Sequence, residues 1–153
     1  MVYANGTFSE LIAIRLDPGD DVYNAILNHC RTHHIRSGVL YALHGSLRRA
    51  EYCTVSPRPD LPTQYGYTEP LVHDDICELL SGSGTVTHEE DGTINLHIHC
   101  VFSDRTGRAF GGHLVPGNQV LLVTEVVLGV VRDMELIGIR NETGGVLFTP
   151  QCL

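Results

Sequence analysis

The sequence predicts an α+β domain, a mainly antiparallel sheet with one principal helix packed on it. Three observations predict it. Strand-like alternation recurs along the chain and is clearest in LHIHCVF, where Leu96, Ile98, Cys100 and Phe102 fall on the face opposite to His97 and His99. One stretch, about residues 18–33, carries apolar residues at helical spacing: Val22, Ala25, Ile26 and Cys30. Polar turn signals, Asp91-Gly92 and the segment Ser103 to Arg108, separate successive runs.

The elements follow in order. Residues Phe8 to Leu16 alternate, with Ile12 and Ile14 in phase and Leu11 opposed to them, and predict a first strand. Asp17-Pro18-Gly19-Asp20 reads as a helix start, with Asp17 as N-cap and Pro18 in the first turn. Asp20 and Asp21 suit the positive end of the helix dipole. Gly38 closes that helix, and Val39 to Leu43 is strand-like. Further strands are expected at Arg49–Thr54, Ile76–Thr87, Thr93–Phe102, Arg108–Leu114, Gln119–Leu128, Val130–Ile139 and Val146–Thr149. Ser56 to Asp75 is expected to be a long loop, of the kind that serves function or an interface. No linker or repeat divides the chain, so residues 1–153 are expected to form one domain.

Three histidines carry the functional signal. His97 and His99 stand two apart on one strand and therefore point the same way. His113, in GGHL, follows after a turn. A three-residue loop at Arg105-Thr106-Gly107, with Gly107 left-handed, places His99 across from His113 and His97 diagonal to it. A two-residue turn would send His113 to the other face, unless a bulge at Gly111-Gly112 restored the register. In the first register three neutral imidazoles face one point with a position left open, which suits zinc or another divalent transition metal. In the second they are polar residues on a solvated face. Cys100, beside His99, points away from them and is excluded as a ligand.

Composition narrows the function classes. Five cysteines stand far apart with no C-x-x-C, which argues against a disulfide scaffold or a cysteine zinc knuckle and favours a reducing cytoplasm. No signal-peptide pattern opens the chain, and the apolar run Val120 to Val131 is interrupted by Thr124 and Glu125, so no membrane association is expected. There are 18 acidic side chains against 10 arginines, no lysine, and a net charge of -8. That balance disfavours nucleic acid, whose phosphates draw on clustered cations.

Four segments, LDPGDDVYNAIL, IRSGVLYALHGSLRRAEY, CELLSGSGTV and LHIHCVFSDRTGRAFGGHL, stand in the order and spacing of a known family. Together they resemble the plant and prokaryote conserved (PPC/PCC) domain, in its stand-alone bacterial and archaeal form, over roughly residues 8–149. The resemblance implies an α+β fold that forms homotrimers, and a metal, generally zinc, held by the matching His97, His99 and His113. It also brings a label of predicted DNA binding, taken from plant relatives that carry AT-hooks. This chain has no such hook, since Ser56-Pro57-Arg58-Pro59 holds one arginine and no glycine.

Other residues are weighed against that frame. Glu78 matches a recurrent acidic position and is a candidate general base toward metal-bound water, or a strand residue paired with Arg48 or Arg140. His44 is a candidate substrate donor or acid/base, or a hydrogen-bonded strand-end histidine. Arg48, Arg105 and Arg108 are candidates to orient a substrate carboxylate. Glu125 interrupts an apolar strand and must be paired, either behind a metal-bound histidine or across subunits. His29, His33 and His34 favour the helix C-terminus, His73-Asp74-Asp75 is expected to be solvated, and Ser81-Gly82-Ser83-Gly84 marks a bend or close strand crossing. The expected function is a metal-dependent protein that binds or transforms a small oxygen-rich molecule by hydrolase or lyase chemistry. A DNA-associated regulatory module stands second.

Overall fold

The computed structural model describes residues 1–140 and 146–153. In chain order its elements are β1 (Thr7–Leu16), α1 (Val22–Thr32), β2 (Gly38–Leu47), β3 (Ala50–Cys53), β4 (Val55–Pro57), β5 (Tyr65–Tyr67), β6 (Leu71–His73), β7 (Cys77–His88), β8 (Ile94–Asp104), β9 (Ala109–Leu114), β10 (Val120–Arg132), β11 (Met134–Arg140) and β12 (Val146–Cys152). Eight strands form one path in the order β1-β10-β2-β7-β8-β9-β3-β6, with every pairing along it antiparallel. The β11–β12 hairpin is an arm joined to β7 through one parallel bridge, Ile137 to His88. The expected α+β class is the observed one.

The inner face of the sheet carries the core. Helix α1 turns Val22, Ile26, Leu27 and Cys30 inward, onto Leu40, Leu43, Val86, Ile98, Phe102 and Leu128. Burying each large aliphatic side chain here stabilises the fold by about 1.5–3 kcal/mol. Strand β8 shows the division of labour most clearly: Leu96, Ile98, Cys100 and Phe102 are buried, while His97, His99 and Val101 are exposed. The outer face is left uncovered and retains apolar groups, with Leu11 and Leu122 each 70% exposed and Tyr41 57%.

Three expectations are corrected. The helix begins at Val22 with Asp21 as N-cap, its carboxylate accepting from the Asn24 amide at 2.8 Å. Asp17 to Asp20 instead close a tight turn, in which the Asp20 amide donates to the Asp17 carbonyl and Gly19 has φ +95, outside any helix. The segment expected to be a loop between Ser56 and Asp75 holds the short strands β5 and β6 and most of β4. Finally, β10 runs straight through Gly129 and breaks at Asp133, whose φ is +70. Gly129 is there for space: a Cβ on it would stand 2.7 Å from the Phe8 ring.

Candidate metal centre

The turn between β8 and β9 decides where His113 points. Asp104 and Arg108 close it, the Asp104 amide donating to the Arg108 carbonyl at 3.1 Å, and Gly107 takes the left-handed conformation at φ +82. The loop therefore holds three residues, Arg105-Thr106-Gly107, pinned by the Asp104 carboxylate, which accepts from the amides of Thr106 and Arg108. In this register His99 lies directly across from His113, and no bulge at Gly111-Gly112 is needed. Of the two registers open to the sequence, the structure takes the one that gathers the histidines.

His97, His99 and His113 each offer a ring nitrogen, and these atoms all lie within 4.8 Å of one another. Among the described residues they form the one such group of three or more histidine, cysteine or carboxylate side chains. The Nε2 atoms of His97 and His99 stand 3.0 Å apart. The ring of His113 is 5.1 Å from that of His97 and 5.6 Å from that of His99, centre to centre. Cys100 faces the core, as its place in the alternation requires.

Electrostatics favour the neutral, ligating form of His97 and His113. Burial, helped by the neighbouring His97 and His99, pushes His113 down to about 4. Burial and then His99 lower His97 as well. The residues fit a metal ion on a further ground: His113 Nδ1 is buried without a hydrogen-bond partner among the described residues. An orphaned polar atom costs about 1–3 kcal/mol, and an ion shared with the two facing imidazoles would remove such a penalty.

The walls come from residues that the sequence did not single out for the site. Tyr67, on β5, stacks on His113 at 4.8 Å with an interplanar angle of 27°. Ser83 pairs with His99 and Thr85 with His97 across β7 and β8, so both hydroxyls share the histidine face. Phe148, from the β12 arm, lines a concavity with them. The Ser-Gly-Ser-Gly run explains itself as a close strand crossing: a Cβ on Gly84 would stand 2.1 Å from the His97 carbonyl oxygen. The period-two spacing of Ser81, Ser83 and Thr85 was the signal available in the sequence.

The other candidates fall elsewhere. Glu78 pairs with Ser103, five residues along β7 from Ser83 and about 16 Å away along the strand. It shares a second concavity with Arg105, whose guanidinium is held by Asp75 at 2.8 Å. Arg140, one of the partners expected for Glu78, instead binds Glu89 through two hydrogen bonds. Arg48 and Arg108 are exposed, at the end of β2 and beside the β8–β9 turn. His44 and Glu125, considered separately in the sequence, meet each other at 2.9 Å across β2 and β10. His73 packs on Phe110 at 4.7 Å, and His29 and His33 adjoin at the helix end, rings 4.4 Å apart. Within the chain, none of these reaches the triad.

A mainly antiparallel sheet backed by one helix places the chain among small α+β domains, here with three histidines meeting on the open face of the sheet. The chain belongs to the Plants and Prokaryotes Conserved (PCC) domain family, whose model matches residues 3–132. Its fold is that of a plant- and prokaryote-conserved protein from Pyrococcus horikoshii, with a TM-score of 0.83, 22% identity and full coverage of both chains. A metal-containing protein from Archaeoglobus fulgidus is similar too, at TM-score 0.81 and 22% identity over 97% of this chain and 99% of that one. A protein from Ralstonia eutropha provisionally named as DNA-binding matches at TM-score 0.72 and 20% identity, over 89% of this chain and 88% of its own. Among curated proteins, the bifunctional protein GlmU of Synechococcus sp. (strain JA-3-3Ab) is 29% identical over 115 residues, 75% of this chain. The match covers only 16% of that protein's length. Among the described residues no helix is long and apolar enough to cross a membrane.

Proposed function

We propose that this chain is a metal-binding protein, working as a homotrimer, that binds or transforms a small molecule at His97, His99 and His113 by hydrolase or lyase chemistry. One observation carries the reading: three imidazoles from two adjacent strands converge on the open face of the sheet. Zinc, or another divalent transition metal, held by three histidines keeps a position for water or substrate and supplies Lewis acidity there. The protein's part is to keep the three rings aimed, through the Gly107 turn, the β8–β9 register and the Tyr67 stack. The similarity in fold to a protein described as metal-containing supports the same reading. The exposed apolar outer face, including Leu11, Tyr41 and Leu122, supports self-association.

The test is elemental analysis of untagged protein, repeated on His113→Ala. About one zinc or similar ion per chain is expected, with most of it lost in the variant. Wild-type protein that stays metal-free after incubation with zinc would overturn the reading. Sedimentation at micromolar concentration checks the trimer.

The names given to some structural neighbours favour a second reading, DNA association. Charge weighs against it, because Arg15, Arg49, Arg58, Arg105 and Arg140 are each engaged by a carboxylate within the chain. Salt-sensitive binding of A/T-rich duplex, weakened by reversing Arg48 and Arg49, would move this reading to first place.

A further inference from the structure

His99 lines two shallow concavities, of about 520 and 380 Å³, the second of them shared with His97. One continues past His99 along Ser81, Val101 and Gly111; the other runs past His97 to Thr85 and Phe148. No aspartate, glutamate, lysine or arginine lines either one. What they offer are hydroxyls. Ser83 is the direct cross-strand neighbour of His99, and Thr85 of His97, so each hydroxyl lies about 5 Å from an imidazole strand position. Neither hydroxyl has a side-chain hydrogen-bond partner among the described residues, so both are available to a ligand.

From this pattern we infer the chemical class of the ligand: a small molecule carrying adjacent hydroxyl and carbonyl oxygens, with at most one negative charge and no phosphate. The inference rests on the metal reading above. An ion bound by three neutral imidazoles keeps its full double charge and attracts one anionic or strongly polar oxygen. A second charge on the same ligand would find no cation among the lining residues to pair with, so it would gain nothing from the site. Adjacent oxygens on one small molecule could both approach an ion held by His97, His99 and His113. The remaining oxygen, the second carboxylate oxygen of glycolate or the second hydroxyl of dihydroxyacetone, would then meet Ser83 or Thr85, whose hydroxyls can donate or accept. Phe148 and Tyr67 flank the polar strip and suit a short apolar remainder.

Protein loaded with cobalt(II) gives a visible band that reports on the fourth ligand without any need for turnover. It is titrated with dihydroxyacetone and glycolate, and in parallel with dihydroxyacetone phosphate and malate. The first pair is expected to shift the band and to bind at least about ten-fold more tightly than the second. At least one of Ser83→Ala and Thr85→Val is expected to weaken glycolate by about ten-fold, the size of one lost hydrogen bond, with cobalt stoichiometry unchanged. Equal or tighter binding of the phosphate or the dicarboxylate would overturn the inference. So would unchanged affinity in both hydroxyl variants. If cobalt does not bind stoichiometrically, the metal reading fails and the ligand class fails with it; full cobalt uptake without the predicted preference removes the ligand class alone.

Discussion

The two ends of the β8–β9 ladder make opposite use of their polar residues. At the turn end Asp75 holds Arg105 and accepts from the Ile76 amide, while Asp104 accepts from Thr106 and Arg108. The carboxyls of Asp75 and Asp104 are both held below the usual carboxylate range, Asp75 chiefly by the Ile76 amide and Asp104 chiefly by the Thr106 hydroxyl. At the histidine end, where His99 pairs with His113, no carboxylate or guanidinium lines the concavity shared by Ser83, Thr85 and Phe148, and among the described residues His113 Nδ1 is buried without a partner. Charged groups that satisfy one another set a loop's shape and have little left for a ligand. Neutral groups left unsatisfied on rigid strands are the ones with binding capacity to spare.

The sharpest way to test that contrast is inside β8, where neighbouring residues face opposite ways. Ile98, fully buried, is expected to cost about 3 kcal/mol of stability when changed to Ala, with metal stoichiometry retained in the folded fraction. His99→Ala is expected to leave the urea midpoint of the metal-free protein nearly unchanged and to weaken metal binding more than about 100-fold. Equal effects of both substitutions on both measurements would mean that the two faces are not independent.

Acid should distinguish the ends next. His113 titrates near 4 in the folded protein and near 6.5 when unfolded, so between these values the unfolded chain binds more protons. Its contribution is fully present above about pH 6.5 and is lost as pH falls toward 4. Metal-free protein should lose up to about 2 kcal/mol over that window, allowing for the ring's partial exposure. Urea midpoints at pH 7, 5.5 and 4, compared with those of His113→Gln, check it; the variant should show a flatter dependence.

Much of this arrangement was legible in the chain. Alternation through LHIHCVF fixes which residues of β8 are core and which are presented, because strand periodicity is local. Register was not legible to the same degree: loops of two and three residues were both compatible with Arg105-Thr106-Gly107, and only the left-handed Gly107 and the Asp104 hydrogen bonds select between them. Partners distant in sequence were the hardest to see. Tyr67 comes from a segment read as loop, and His44 meets Glu125 only because β2 and β10 are neighbours in the sheet, although 81 residues separate them in sequence. The same distance misplaced Glu78 and the arginines, whose charge suggested a site but whose strand positions lie at its far end.

Gly107 links the two ends, since the turn it closes sets the register that brings His113 to His99. Gly107→Ala is expected to cost about 1 kcal/mol, from the left-handed backbone alone, because nothing stands within 4 Å of an added Cβ. The register itself should survive, being held by four further β8–β9 pairs below His99–His113, so metal affinity should change less than about three-fold.

Arg105→Gln is the mildest change and completes the comparison. It removes an exposed ion pair with Asp75, of the kind that water and salt screen to little net effect. The urea midpoint, cobalt stoichiometry and glycolate affinity are all expected to stay at wild-type values. If glycolate binding dropped ten-fold in this variant, the turn end would belong to the ligand site, and the division between a self-satisfied end and a ligand-facing one would have to be abandoned. Such a drop would also require Arg105 to reach a triad other than its own, since within one chain it is turned toward Asp75 at the opposite end of the ladder.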